Sequence, residues 1–205
     1  TLWNQRINAE PGNDLISMMA HGDSTRNMPR YEFLGNLILL IVGGNDTTRN
    51  SMSAFAWGLE QFPDERAKLE ADPSLIGNAA QEIIRWQTPL AHMRRTATQD
   101  AELEGQQIRE GDKLALWYLS ANRDESVFPD ADRVIVGREN ARRHLAFGHG
   151  IHRCVGARLA ELQIGVLMEE MAKRRLRPNV LREPTRVAAC FAHGYKKMPV
   201  ELSRY

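Results

Sequence analysis

The pattern of apolar and polar positions predicts a mostly helical chain. From Tyr31 to Phe62 there is no proline, and apolar residues recur at helical spacing. This stretch predicts one long helix, which at ~1.5 Å per residue would measure about 45 Å. The apolar positions that carry the pattern are Leu34, Leu37, Ile38, Ile41, Met52, Phe55 and Leu59.

Shorter helices are predicted on both sides of the long one. Asp14 precedes Leu15 as a helix N-cap, and Gly22 marks the place where this first helix ends. After the long helix, the chain predicts helices over 64–71 and 75–86, because prolines interrupt the pattern before each of them.

The pattern changes after Thr96. Short apolar segments alternate with glycine turns up to Leu119, and Lys113–Tyr118 predicts a strand of a small sheet. Residues 121–150 have little periodicity, so we expect an ordered meander there. A last amphipathic helix is predicted from residue 155, followed by loops and short strands. Its expected buried face consists of Val155, Leu159, Leu162, Val166 and Met171.

Composition and charge narrow the class of protein. The 205 residues are 42% hydrophobic, enough for one sizeable core, and no stretch resembles a linker between domains. The 27 basic and 26 acidic residues give no reason to expect a nucleic-acid partner or a polybasic membrane anchor. The longest apolar stretch, Leu37 to Val42, is far short of the ~20 residues of a membrane span. Because the two cysteines are too few for a disulfide scaffold and the first residues are no signal peptide, a cytoplasmic protein is expected.

One cysteine, Cys154, lies between a glycine-rich loop and the start of the last predicted helix. Helix amides favour negative charge at this place and glycines allow close backbone approach, so Cys154 is a candidate thiolate metal ligand. A buried structural cysteine is one alternative. Another is a zinc site, although structural zinc sites usually contain a Cys-x-x-Cys pair, which is absent here. Its candidate ligands would be Cys154 with His144, His149 and His152.

The loop sequence resembles the haem-ligand loop of cytochrome P450 monooxygenases, Phe-Gly-x-Gly-x-His-x-Cys-x-Gly, over residues 147–156. The resemblance implies a mainly α fold with a small β-sheet. It also implies haem b bound through the Cys154 thiolate, with O2 as co-substrate. Such a ligand pushes electron density onto the iron and favours O–O cleavage. By this resemblance, Phe147 would pack beneath the haem and His152 would reach a haem propionate. Gly148 and Gly156 would permit close approach of the backbone.

A second motif lies in the middle of the long helix, Gly43-Gly44-Asn45-Asp46-Thr47-Thr48. Each mid-helix glycine costs about 1 kcal/mol relative to alanine, which close approach of a flat ligand, a kink or a tight helix crossing could explain. Thr47 can bond back to the Gly43 carbonyl and open the helix. The motif is similar to the oxygen-activating Ala/Gly-Gly-x-Asp/Glu-Thr of the family. The resemblance implies that Gly43 lies against the haem, Asp46 relays protons and Thr47 holds dioxygen and a water.

A third motif is Glu82-Ile83-Ile84-Arg85, with a carboxylate and a guanidinium one helical turn apart. Alone it is a weak signal, because such pairs are common surface salt bridges. In the family the pair is buried and is joined by an arginine from the meander, which would here be Arg133. The planar guanidinium can bind a carboxylate through two nitrogens, so this triad would fix the meander that carries the cysteine loop.

Further site residues follow from the resemblance. Arg95 matches the arginine that binds the other haem propionate, although it could also be a solvent-facing member of the Arg94-Arg95 pair. The apolar residues expected to face a substrate are Leu39, Val42, Leu90, Ala91, Met93 and Phe191.

Basic residues surround the cysteine segment and would form a face where an acidic ferredoxin docks. The chain has no flavin or nicotinamide motif, so electrons are expected from ferredoxin and ferredoxin reductase. The residues of this basic face are Arg142, Arg143, Arg153 and Arg158.

Around the three motifs the sequence resembles the bacterial alkane-hydroxylating branch, which oxidises terminal carbons of medium-chain alkanes and related aliphatics. A fatty acid, a terpenoid or a sterol would also suit an apolar pocket. A complete member is roughly twice as long as these 205 residues. We therefore expect residues 1–205 to be the C-terminal haem-binding portion of a single domain without its N-terminal half. The chain is then either the catalytic half of a monooxygenase or a non-catalytic haem-binding fragment.

Overall fold

A computed structural model describes residues 2–205 and divides them into two compact units, with the boundary after Gly43. The first unit contains α1 (Leu2–Ile7) and α2 (Leu15–His21). The Asp14 carboxylate accepts a hydrogen bond of 3.0 Å from the backbone N–H of Ser17 and so caps α2 as predicted. The long helix α3 (Arg30–Gln61) begins in the first unit and ends in the second.

The second unit contains the remaining helices and all strands described in residues 2–205. Its helices are α4 (Pro63–Ala71), α5 (Ile76–Gln87), α6 (Tyr118–Ala121) and α7 (Ala157–Lys173). Antiparallel pairs are formed by β1 (Met93–Thr96) with β4 (Lys113–Leu116), β2 (Ala101–Leu103) with β3 (Gln106–Ile108), β5 (Leu176–Val180) with β8 (Val200–Arg204), and β6 (Thr185–Arg186) with β7 (Tyr195–Lys197). The mainly helical prediction is confirmed, with the β structure divided into separate two-stranded sheets.

Apolar side chains from α3, α5 and α7 form the core of the second unit. Truncating a fully buried member to alanine is expected to cost about 2–5 kcal/mol, because the cavity left behind refills only partly. The central core side chains are Ala54, Phe55, Leu59, Ile83, Ile84, Ile164 and Met168.

No helix within residues 2–205 is long and apolar enough to cross a membrane.

The buried face of α7 differs from the prediction. Ile164 and Met168, four residues apart, are buried against the core. The predicted stripe lies elsewhere on the helix, and of its members only Met171 packs partly against the core. Both stripes are apolar at helical spacing, so periodicity alone could not choose between them. The exposed members of the predicted stripe are Val155, Leu159, Leu162 and Val166.

The predicted strand 113–118 is too long, since β4 ends at Leu116 and α6 begins at Tyr118. The backbone N–H groups of Ala121 and Asn122 bond the carbonyls of Trp117 and Tyr118. The chain therefore turns into a helix and buries the Tyr118 ring.

Candidate functional site

The cysteine loop places the Cys154 thiol at the surface, just before α7. The backbone N–H of Cys154 donates to the carbonyl of Phe147 across 2.8 Å, which closes the loop. A Cβ added to Gly156 would lie 3.9 Å from the Cys154 sulfur. The thiol is thus accessible and close to the first turn of α7, where helix amides favour a negative charge.

Two glycines give the loop its shape. Gly148 and Gly150 have φ values of 70° and 74°, a left-handed conformation that other residues adopt only with strain. A Cβ on Gly148 would also approach the hydroxyl of the buried Tyr118 to 3.2 Å. Both conformation and space therefore require glycine at position 148.

The surroundings of Cys154 fit a large apolar ligand. Ile151 and Val155, three residues before Cys154 and one residue after it, are 97% and 93% exposed. Such exposed apolar side chains suit contact with a large apolar ligand, and a cysteine thiolate is an established donor to haem iron. Within residues 2–205 no group of three or more His, Cys, Asp or Glu side chains is arranged to hold a metal ion. The donor set fits haem and gives no support to the zinc alternative.

His144 has other partners in the fold. The backbone N–H of Ala146 donates to its Nδ1 at 3.2 Å, so its Nε2 carries the proton and donates to Gln81 Oε1 at 3.2 Å. Burial lowers the pKa of His144 to about 4. The imidazole is therefore neutral at pH 7 and joins α5 to the segment before the cysteine loop.

Glu82 and Arg85 form a buried ion pair, as expected from their motif. The Arg85 Nε and Nη2 atoms donate to the two carboxylate oxygens of Glu82 at 2.8 and 2.9 Å. Arg85 also donates to meander carbonyls, at 2.6 Å to Asn122, 2.8 Å to Ala131 and 2.9 Å to Arg133. The pair thus fastens the meander to α5.

The third member of this cluster is Arg138, and the prediction of Arg133 is wrong. Arg138 is buried and donates from Nε to Glu82 Oε1 at 3.0 Å. The half-exposed Arg133 side chain instead bonds Asp64 at 2.9 Å, and only its backbone carbonyl meets Arg85. Gly137, with φ of 85°, turns the chain so that the arginine after it points inward. Val134, Val136 and Arg138 are all buried. The sequence signal for Arg138 is therefore its position two residues after the alternating apolar pair Val134 and Val136, a pattern with which Arg133 is out of phase.

Two buried polar residues escaped the sequence prediction. Asn122 donates from Nδ2 to Thr88 Oγ1 at 2.8 Å and accepts from the backbone N–H of Leu145 at 2.7 Å. Thr88 caps α5 in the left-handed region, at φ 42°, and its hydroxyl donates to the Arg85 carbonyl. A β-branched residue rarely adopts this conformation, so the surrounding bonds hold it there. The end of α5 is thereby fixed relative to the cysteine loop.

The motif 43–48 lies within the unbroken helix α3. Asp46 is exposed and accepts a hydrogen bond of 2.8 Å from Arg49. Thr47 is half-buried, and its carbonyl accepts from the Ser51 hydroxyl at 2.9 Å. Within residues 2–205, a Cβ added to Gly43 or Gly44 would have no atom within 4 Å other than those of the adjacent residues and of the backbone of α3.

Part of the expected substrate wall is brought together. Leu90 forms a β-bridge with Ala192, and the backbone N–H of Ala91 donates to the carbonyl of Phe191 at 2.9 Å. The Phe191 side chain remains 44% exposed. His92 packs edge-on against Phe191, with ring centroids 5.9 Å apart. The segment after α5 and the hairpin of β6 and β7 therefore form one surface.

The other expected site residues lie as follows. Met93 and Arg95 belong to β1, and Arg95 bonds the carbonyl of Arg94 without a carboxylate partner in the part of the chain described here. Leu39 and Val42 are exposed on the part of α3 that belongs to the first unit. His152 is exposed in the short turn before the cysteine.

All four residues of the basic face are exposed on the segments that flank Cys154. One of them also bonds a carboxylate, since Arg158 donates to Glu161 at 2.9 Å. The exposed guanidinium groups give this face a positive charge, which Glu161 offsets in part at Arg158. These residues are Arg142, Arg143, Arg153 and Arg158.

Comparison with known proteins agrees with this geometry. The family model for cytochrome P450 matches residues 74–174. Linalool 8-monooxygenase from Pseudomonas putida is 44% identical over 195 residues, which are 95% of this chain and 48% of that protein. The methyl-branched lipid omega-hydroxylase of Mycobacterium bovis is 42% identical over 195 residues, 93% of this chain and 45% of that protein.

A solved structure extends the agreement to the fold. CYP153D17 from Sphingomonas sp. PAMC 26605 is 77% identical and superposes with a TM-score of 0.94, over 99% of this chain and 51% of that one. The chain spans about half the length of the proteins that it matches. Its cysteine loop, its buried Glu82–Arg85 pair and these similarities lead to one conclusion: the chain belongs to the cytochrome P450 family.

Proposed function

We propose that residues 1–205 are the C-terminal haem-binding portion of a single cytochrome P450 domain. The protein would be a haem-thiolate monooxygenase that hydroxylates aliphatic substrates with O2 and two electrons from ferredoxin. The observation that carries the proposal is the exposed Cys154 thiol, held between a glycine loop and the start of α7.

The cofactor would be held from several sides. The Cys154 thiolate would bind the iron of haem b, and Arg95 and His152 would each bind a propionate. Phe147, Gly148 and Gly156 would lie against the ring, and the resemblance adds Gly43 of the first unit to the residues assigned to the cofactor. The lack of a carboxylate partner for Arg95 in residues 2–205 supports this assignment, since its charge is available. When bound, a thiolate-ligated haem activates dioxygen and favours O–O cleavage.

Proton delivery is assigned to Asp46 and Thr47. The exposed Asp46 carboxylate can exchange protons with solvent, and Arg49 holds it at 2.8 Å. Thr47 follows on the same helix turn, and its hydroxyl can both accept and donate a hydrogen bond. Together they would pass protons from water to the oxygen that is being reduced.

The proposed substrate is a medium-chain alkane oxidised at its terminal carbon. Leu90, Ala91 and Phe191 supply an apolar wall, and Met93 follows them on β1. The resemblance adds Leu39 and Val42, both exposed on the first unit, to the candidate substrate contacts. The omega-hydroxylase among the relatives supports attack at a chain end. The linalool monooxygenase favours a second candidate, another apolar substrate such as a terpenoid, a fatty acid or a sterol.

Electrons would arrive at the basic face. An acidic ferredoxin, reduced by ferredoxin reductase, would be attracted by long-range electrostatics to Arg142, Arg143, Arg153 and Arg158. Their exposure on both sides of Cys154 supports this assignment.

The decisive experiment is reconstitution of the chain with haem, followed by reduction under carbon monoxide. The proposal expects the red-shifted Soret band of a thiolate-ligated haem, and its loss in Cys154→Ala and Cys154→His. Oxidation of n-octane with ferredoxin and ferredoxin reductase then tests the reaction, with a fatty acid, a terpenoid and a sterol as competing substrates. A bound haem without the thiolate band would refute the proposal, whereas a folded chain that binds no haem would count against independent function of this chain. Haem binding without any oxidation would instead favour a non-catalytic haem-binding fragment.

A further inference from the structure

Gln87, the last residue of α5, is fully buried but belongs to none of the groups assigned above. Its Nε2 donates to the carbonyl of His193 at 2.5 Å, and its Oε1 accepts from the Tyr195 hydroxyl at 2.8 Å. Burial raises the pKa of Tyr195 to about 12, so its hydroxyl keeps the proton that it donates. A buried amide is costly unless it is satisfied, and here both ends of the amide bond the same hairpin.

The His193 ring completes the connection. Its Nδ1 lies 2.5 Å from the backbone carbonyl of Gln87, and its Nε2 lies 3.2 Å from Nη1 of Arg186. Because a guanidinium only donates, Nε2 accepts and Nδ1 carries the proton. Burial lowers the pKa of His193, and the neighbouring Arg186 acts in the same direction. One tautomer of neutral histidine therefore satisfies both contacts.

These bonds set a register between two segments. The backbone N–H of His193 donates to the Pro89 carbonyl at 2.8 Å, Ala192 bridges Leu90, and the Phe191 carbonyl accepts from Ala91. Residues 191–193 thus run antiparallel to residues 89–91. A slip of one residue in such a pairing moves side chains to the opposite face, so the anchor at position 193 determines where Phe191 points.

We propose that Gln87 and His193 form a positioning pair that sets the place of Phe191 opposite Leu90 and Ala91, and thereby determines substrate preference. The inference rests on the proposed function, because it takes these three residues as the substrate wall. The pair acts through the backbone and does not touch the substrate.

Two substitutions at position 193, similar in size to each other, each keep a different one of the two hydrogen bonds of the His193 ring. In His193→Asn the side-chain amide nitrogen lies near the position of Nδ1 and can still donate to the Gln87 carbonyl. In His193→Gln the amide lies near the position of Nε2 and keeps only the Arg186 contact. Lys197→Ala, an exposed change in the same hairpin, is the control. All are made in the haem-loaded protein that carries this chain.

The first measurement is hydrogen exchange at the Ala91 amide, which reports the register without any catalysis. Loss of one neutral hydrogen bond is worth about 1 kcal/mol, or roughly a fivefold faster exchange in His193→Gln. His193→Asn and Lys197→Ala should exchange as the parent protein does. The second measurement is the ratio of dissociation constants for n-octane and dodecanoic acid, taken from the haem Soret shift. This ratio should differ from that of the parent protein in His193→Gln, and should equal the parent value in His193→Asn.

Equal behaviour of His193→Asn and His193→Gln in both measurements would overturn the inference. An unchanged ratio of the two dissociation constants in haem-loaded His193→Gln would overturn this inference but would not contradict the proposed function. A parent protein without the thiolate carbon monoxide band would instead overturn the proposed function, and the claim on substrate preference with it.

Discussion

Arg138 donates from Nε to Glu82 Oε1 across 3.0 Å, and both side chains are buried. The same carboxylate accepts from Arg85 and from the backbone N–H of Ile135 at 2.9 Å. Arg138 also donates to the carbonyls of Pro129 and Asp130. Glu82 is therefore the point where α5 meets the middle of the meander, at Ile135 and Arg138.

This relationship predicts unequal costs for the two meander arginines. Arg138→Ala should destabilise the fold by about 3 kcal/mol or more, because it removes one partner of a buried charged cluster. Arg133→Ala should cost ~1 kcal/mol or less, because its pair with Asp64 is half-exposed and screened by solvent. Urea unfolding of the two variants measures the difference. Equal costs would contradict the assignment of Arg138.

A second prediction concerns pH. The pKa of His144 is about 4 in the fold and 6.5 without burial, so the unfolded chain binds a proton more readily in this window. The contribution of His144 to stability is therefore complete above pH 6.5 and is lost as the pH falls to about 4, by roughly 3 kcal/mol in total.

Denaturant unfolding at several pH values measures this slope. His144→Gln should reduce the slope between pH 6.5 and 4. A slope that persists unchanged in His144→Gln would show that other groups cause it.

A third prediction tests the role assigned to Thr47. Thr47→Ala should separate electron consumption from product formation, because the hydroxyl that positions protons is lost, and the missing product should appear as hydrogen peroxide. Thr48→Ala is the matched control, since this buried neighbour belongs to the packed face of α3. The ratio of peroxide to product measures the effect. Tight coupling in Thr47→Ala would refute the role.

A fourth prediction concerns the basic face. Reversing the charge of Arg142 and Arg143 to glutamate should lower the rate of ferredoxin reduction of the haem and weaken its dependence on salt. Arg204→Glu, on β8, serves as a charge-matched control for a single reversal. Stopped-flow reduction at several ionic strengths gives the answer. An unchanged salt dependence would exclude this face as the docking surface.

Local signals predicted the helices well, since caps, prolines and spacing act within a few residues. Asp14 and Pro63 begin helices where the sequence indicates. The buried face of α7 could not be predicted, because Leu162 and Ile164 belong to two apolar stripes and only tertiary packing chooses between them. Periodicity contains no information about what covers a helix.

In the candidate site, too, residues of one short motif could be predicted, whereas contacts between distant residues could not. Cys154, Glu82 and Arg85 lie in compact motifs, so their identity could be predicted from the sequence. The bond between Gln87 and His193 joins residues 106 positions apart, and no local pattern relates them. Arg138 could be predicted only in part. It continues the every-second-residue pattern of Val134 and Val136, but only the structure shows that this side of the meander is buried.

The bonds of α5 have a consequence for how such a site can evolve. Gln81 holds His144 near the cysteine loop, and Gln87 holds the hairpin of Phe191. Gln87 lies six positions after Gln81, so their side chains leave the helix about 120° apart. The two connections share no side chain. Selection for a new substrate can therefore change the hairpin while the cysteine loop keeps its geometry, because each is attached to α5 through a different glutamine.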